Sequence, residues 1–370
     1  MSHSSIRVKS AYSVPAILLS LLLCVQIAAP ASAHKPIFES GGETIDTALE
    51  IPDPLVSYAI YAQFEPGMPQ IQYYELQLEA GHLLNFQMLI PVIDELQEFA
   101  PEVLLIGPGL PAPDAGSSSI IDEFAIPMPT ADGIVLWSYV GAENVEEFEP
   151  FTQTTFWERQ DVELTLAEAG TYFLAVVVPE GDFNPGEEGK YVLAPGLEED
   201  FGLIDYVAIP VDWVKARVFW EQSLILYLLP TFVVLLAGLS ILWYRIRSSD
   251  SRGSASMAGK GAMYLGLAGG LLMVGTGVNQ ILLVALSPHL SESAINLVVI
   301  MTQSLAVALG LFAIRSAFAL ARTPRWTGIV VPVVLTLLAL LLGAGFIVGP
   351  ALFLTASLAQ VFVGAQERSN

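Results

Sequence analysis

Three stretches of this chain gather side chains whose types and spacing could do chemistry. The first pairs His34 with His82. A histidine at a free N-terminus offers an α-amine and a ring nitrogen to one metal, and imidazole suits copper. His82 adds a further nitrogen. The second is Asp182-Phe183-Asn184-Pro185-Gly186-Glu187-Glu188. Here Asp182, Asn184 and Glu187 set oxygen ligands on a Gly/Pro turn, a donor type that suits calcium. The third runs from Phe151 to Arg159, where Phe151, Phe156 and Trp157 stand near the only basic residue between Lys35 and Lys190. That set is a candidate ligand groove. Each stretch also has a plainer reading: a mobile terminus, a solvated loop, and an aromatic core in which Arg159 pairs with carboxylates. Neither G-x-S-x-G nor H-E-x-x-H occurs, so the expectation is a protein that is not an enzyme.

The elements that must position these residues follow from composition. Of the 370 residues 54% are hydrophobic and 14% charged, against about 25% charged in an ordinary soluble domain. Mean hydropathy is +0.59. The net charge of −22 is unevenly spread. Residues 34–221 carry 34 Asp and Glu against 5 Lys and Arg, whereas residues 222–370 carry 3 against 8. Two different materials therefore meet near Trp220. An acidic domain of this kind repels nucleic acid, whose binding needs clustered Lys and Arg, so no nucleic-acid partner is expected.

Residues 1–33 read as a secretory signal: Arg7 and Lys9, then an apolar run from Val14 to Ala29, then Ala31-Ser32-Ala33 as the cleavage site. Cleavage there would make His34 the first residue. The sole cysteine, Cys24, lies inside the signal with Leu23 before it. The processed chain would hold no thiol for disulfides, metal or catalysis.

From residue 34 to 218 the sequence points to an exported antiparallel β-sandwich. Strand-length apolar runs stand at 58–64, 71–78, 83–91, 103–107, 133–140, 162–166, 171–178 and 190–194, separated by Gly, Pro, Asn and Asp. Tyr74, Leu76 and Leu78 alternate with Glu75, Gln77 and Glu79, the period of a half-buried strand. No long amphipathic helix shows here. Gln72-Tyr73-Tyr74-Glu75-Leu76, followed by Leu78-Glu79-Ala80-Gly81, resembles the opening of bacterial pre-peptidase C-terminal-like domains. Ala169-Gly170-Thr171-Tyr172 and Gly189-Lys190-Tyr191-Val192-Leu193 resemble their closing strands. The likeness covers about residues 57–195. It implies a small jelly-roll module of the kind appended to secreted enzymes, which assists binding or folding. Gln72 stands where that family often has Asp.

From residue 219 to 370 a transmembrane helix bundle is expected, with spans at 223–244, 262–286, 294–314, 327–346 and 350–365. Each of the first three is long enough for the roughly 30 Å hydrocarbon core at about 1.5 Å per residue. The stretch from Trp326 to Gly364 is too long for one helix, and Gly343, Gly345, Gly349 and Pro350 supply a break. The last segment reads either as a fifth span or as re-entrant or interfacial. Arg245, Arg247, Arg252 and Lys260 follow the first span, and Arg315, Arg322 and Arg325 follow the third. This places those loops in the cytoplasm and the acidic domain outside the inner membrane. Trp220, Trp243 and Trp326 fall at span ends, where indole rings favour the interface. Asn279, Gln280 and Gln303 are the polar groups at depth, and Gly266 and Gly270 suit close helix packing. The whole reads as an envelope protein anchored in lipid, binding a membrane or envelope partner. The runner-up, similar in plan to copper-resistance proteins, is a copper-handling accessory using His34.

Overall fold

The computed structural model describes residues 34–65, 70–128, 132–139, 141, 145–149, 152, 154–179, 189–249, 257–286, 294–320 and 327–369. The signal segment 1–33, the calcium-type loop and Phe151 lie outside them. The chain divides between Leu224 and Ile225 into two compact units.

Among the described residues, the first unit holds eleven strands in two sheets. They are β1 (Lys35–Ile37), β2 (Leu49–Glu50), β3 (Tyr58–Phe64), β4 (Ile71–Leu78), β5 (Leu83–Pro91), β6 (Glu102–Pro108), β7 (Asp132–Trp137), β8 (Glu146–Glu149), β9 (Thr154–Thr165), β10 (Gly170–Val177) and β11 (Gly189–Pro195). The first sheet runs β1-β3-β11-β5-β9-β8 and the second β2-β4-β10-β6-β7. The expectation of purely antiparallel pairing needs correcting at two edges. β1 runs parallel to β3, with Lys35 opposite Tyr58, and β2 runs parallel to β4, with Leu49 opposite Tyr74.

Side chains from both sheets meet in one cluster. Ile60, Phe86, Met88 and Leu193 come from the first, and Leu76, Leu105, Leu174 and Val176 from the second. Each such side chain contributes about 1.5–3 kcal/mol on burial. Inside it Tyr74 Oη lies 2.7 Å from Tyr191 Oη, and Tyr191 also donates to Gln72 Oε1. The residues carrying the family resemblance are thus core partners of one another. Tyr172 lies flat on Gly107, where a Cβ would come within 2.2 Å of the ring.

Among the described residues, two α-helices belong to this unit. α1 (Ala115–Phe124) starts at Asp114, whose carboxylate accepts the Ser117 amide at 2.8 Å, and it covers the outer face of the second sheet through Ile120. α2 (Leu203–Phe219) overturns the expectation that no long helix lies here. Asp205 accepts the Gly202 amide at 2.9 Å at its start. At its end Glu221 adopts φ 56°, with Glu221 N–H donating to Val218 O and Gln222 N–H to Arg217 O. This is a Schellman stop with glutamate where glycine is usual.

The second unit comprises α3 (Leu224–Ser249), α4 (Met257–Leu286), α5 (Ala294–Leu320), α6 (Thr327–Leu341) and α7 (Val348–Ser369). Among the described residues, three stretches are long and apolar enough to cross a membrane: Leu224–Tyr244, Gly259–Leu286 and Asn296–Phe318. The apolar helices Ile329–Leu341 and Val348–Phe362 are shorter. α4 packs closely against two neighbours through its glycines, Gly270 on Gly310 of α5 and Gly269 on Gly349 and Phe353 of α7. Gln280 donates to Tyr227 Oη of α3 at 2.9 Å.

Candidate functional site

β3 and β11 are apolar on both faces, so both faces need cover. Ala59 and Tyr61 of β3, with Val192 and Ala194 of β11, turn away from the core onto α2. The small side chains of Ala59, Ala194 and Ala216 let the helix approach, and aromatic rings fill the rest. The Trp220 ring meets Phe156 edge-on at 4.9 Å and Tyr61 at 5.7 Å, and Phe38 stacks on Tyr61 at 4.5 Å. Trp220 Nε1 donates to Thr155 O at 3.1 Å. Trp220 was expected at a lipid interface; instead it is 5% exposed within the β-rich unit.

A polar rim borders this patch. Arg217, also buried, donates to Thr152 O at 2.7 Å and to Gln222 Oε1 at 2.6 Å. Thr152 N donates to Glu149 Oε2 at 2.5 Å, and Lys190 forms an ion pair with Glu221. Burial pushes the Tyr61 phenol far above its ordinary value. On the same face of the sheet lies a cavity of about 10 Å³ bordered by His34, Tyr61, Glu149, Thr152, Phe156 and Val192. That is room for one water molecule.

No family model and no curated protein matches the chain.

His34 is half-buried, its Nδ1 2.6 Å from Ser57 Oγ, and burial holds its imidazole below the ordinary value. Nδ1 is the nitrogen that would close a chelate ring with the α-amine. Lys35 beside it pairs with Asp205 at 2.9 Å. His82 lies in the β4–β5 turn. The strand order β1-β3-β11-β5 sets the two histidines' strands three spacings apart, about 14 Å sideways. The structure does not bring them together. Among the described residues, no three His, Cys, Asp or Glu side chains converge as a metal site would need.

The aromatic stretch is divided rather than gathered. Phe156 faces α2, whereas its neighbour Trp157 faces the core. The β5–β9 register then shifts, with Leu89 opposite Glu158 and Met88 opposite Gln160. Arg159 is the extra residue of this bulge. Bulges re-aim side chains, and the Arg159 guanidinium donates to Phe99 O at 3.0 Å and Gln97 O at 2.8 Å. It also lies 4.8 Å from the Tyr139 ring centroid. Arg159 is 6% exposed and ties the β5–β6 connection to β9. Arg159→Met should therefore cost about 2–3 kcal/mol, since charged hydrogen bonds to buried carbonyls are lost. Urea unfolding of the full chain in detergent, followed by tryptophan fluorescence, measures this.

α2 carries a titratable group of its own. Burial pushes the Asp212 carboxyl up to about 6, Lys215 opposing and Asp205 reinforcing. The folded state thus holds a proton that the unfolded chain releases nearer 4. Stability from this residue is full below that value and is lost as pH rises through about 6. His34 works oppositely: its lowered value makes the folded state weaken as pH falls below the ordinary imidazole range. Asp212→Asn should raise stability by about 1 kcal/mol at pH 8, after discounting for partial exposure, and leave it unchanged at pH 4. Melting temperature against pH, variant beside parent, reads both ends of that window.

Sequence reading missed Arg217 and Trp220 as members of this patch. The available signal was the apolar outer faces of β3 and β11, which announce a cover without naming it.

Proposed function

We propose that this is a non-enzymatic envelope protein whose β-rich unit binds a partner and whose helix bundle anchors it in lipid. In this reading residues 1–33 are a cleaved signal and the two sheets form a jelly-roll sandwich like that of pre-peptidase C-terminal-like domains. That unit stands outside the inner membrane, and the basic loops at Arg245–Lys260 and Arg315–Arg325 stay in the cytoplasm.

The observation that carries the proposal is how the acidic unit spends its faces. α2 covers the outer face of the first sheet and α1 that of the second, so apolar surface is used for internal packing. Carboxylates dominate what remains. The β8 edge is an example, where Glu146 and Glu147 are exposed. A surface of this charge selects a partner bearing complementary basic groups, through steering and specificity more than raw affinity.

The experiment is purification from native membranes in mild detergent at low salt, followed by a salt series. A partner held by this surface should leave as ionic strength screens the charges, and it should be lost from a Glu146→Lys/Glu147→Lys variant at low salt. A chain that always emerges alone, or a partner indifferent to both salt and charge reversal, would end this reading. Impermeant labelling of the Arg245–Lys260 loop from the outer face would end the orientation.

A further inference from the structure

We infer that α6 and α7 form a re-entrant hairpin: the chain enters the membrane, turns within the hydrocarbon at residues 342–347 and leaves by the side it entered. Length is the first argument. α6 has 15 residues, and α7 runs without a charged residue from Val348 to Ala365, 18 residues. They reach about 22 Å and about 27 Å at 1.5 Å per residue, each short of a core of about 30 Å.

The composition of the turn is the second argument. Leu342-Gly343-Ala344-Gly345-Phe346-Ile347 contains no polar side chain, whereas the connection between α4 and α5 reads Ser287-Pro288-His289-Leu290-Ser291-Glu292-Ser293. A turn in water or among headgroups has no need to be wholly apolar. At this one Ile347 is 40% exposed and Val348 56%, surface that hydrocarbon accommodates and water penalises.

The third argument is depth. Non-helical backbone at membrane depth survives only where protein buries it and satisfies its hydrogen bonds. Gly343, Gly345 and Phe346 all take positive φ, 61°, 73° and 51°. The Gly345 amide donates to Thr276 Oγ1 of α4 at 2.6 Å, the Ala344 amide donates to Ala339 O at 2.8 Å, and Gln303 Nε2 of α5 lies 3.5 Å from Leu342 O. Thr276 stands ten residues before Leu286, where the apolar stretch of α4 ends. Ten residues span about 15 Å, half of the hydrocarbon core. The anchor of the turn is therefore near mid-bilayer, and the helix lengths agree with that placement. One helical turn beyond Thr276 lies Asn279, 1% exposed, so the polar groups of α4 gather at and just past the hairpin tip.

Cys24 is the only cysteine, so a Cys24→Ser background permits single-cysteine mapping on the full chain. Ile347→Cys and Val348→Cys test the tip at two exposed positions, with Ser291→Cys and Ser369→Cys as references. The hairpin requires that a membrane-impermeant maleimide label neither tip position from either face of intact vesicles, while both label after SDS. Nitroxides placed there should collide with dissolved oxygen far more than with a water-soluble nickel chelate. Labelling of either tip cysteine from the same face as Ser291→Cys would show two complete spans and overturn the inference.

Discussion

Trp220→Ala is expected to destabilise the β-rich unit by about 3–5 kcal/mol, the range for removing a buried indole. The ring has edge-on partners in Phe156 and Tyr61 and a tilted one in Phe219. Such pairs add about 0.5–1.5 kcal/mol beyond their burial. Its Nε1 also satisfies Thr155 O in β9. Truncation removes all of this at the C-terminal end of α2, where the helix has just been stopped by Glu221 at φ 56°. Hydrogen exchange on the full chain in detergent gives a local readout: amides of β3 and β11 should lose protection first, because Tyr61, Val192 and Ala194 lie under the helix. Trp220→Phe keeps an aromatic ring and loses the indole hydrogen bond, so it should cost about 1–2 kcal/mol. Unchanged protection of β3 and β11 in Trp220→Ala would show that α2 does not hold this face.

The elements that sequence reading recovers are those whose burial pattern is unambiguous. The stretches 58–64, 71–78 and 83–91 coincide with β3, β4 and β5 to the residue, because each is a strand-length segment of mostly apolar or alternating residues bounded by turn formers. The membrane-capable helices stand out for a related reason, since their apolar runs are long enough to cross a bilayer. What escaped lies where local preference and tertiary context disagree. α2 contains Pro210 and several β-branched residues, which read as a break, yet packing on a flat apolar sheet face holds it helical. β8 reads Glu-Glu-Phe-Glu, a solvated pattern that an edge strand tolerates. α1 begins Ala-Gly-Ser-Ser-Ser and depends on the cap at Asp114.

The candidate site was less legible than the fold. Arg159 stood out as a lone cation, but a bulge decides what it touches, and register shifts leave no mark in composition. The carbonyls of Gln97 and Phe99 are partners that no spacing in the sequence announces. Phe156 and Trp157 looked like one groove because they are adjacent, although adjacency in a strand sends them to opposite faces. The same alternation makes Tyr61 and Val192 part of the α2 patch while Ile60 and Leu193 belong to the core.

Gly310→Leu should have the other large effect, this time on the bundle. A Cβ at Gly310 would lie 2.8 Å from both Gly270 O and the Val274 backbone nitrogen, and a Cβ at Gly270 would lie 2.9 Å from Gly310 O. The clash is thus reciprocal and falls on backbone, which cannot rotate aside as a side chain can. In lipid no hydrophobic drive pulls helices together, so close backbone approach supplies much of the packing. Leucine at this crossing forces α4 and α5 apart. Overpacking typically costs 1–3 kcal/mol and here, with two backbones in contact, about 3 kcal/mol or more. The separation should also loosen the hairpin tip, because Thr276 of α4 and Gln303 of α5 both reach it. Thermal melting of the full chain in detergent should show a fall of several degrees. Exchange should rise at Gly345 while β3 and β11 keep their protection. Gly310→Ala separates crowding from bulk: it should fall between parent and leucine variant, since even one methyl meets backbone. If Gly310→Leu melts with the parent and Gly345 stays protected, α4 and α5 are not in backbone contact at this crossing.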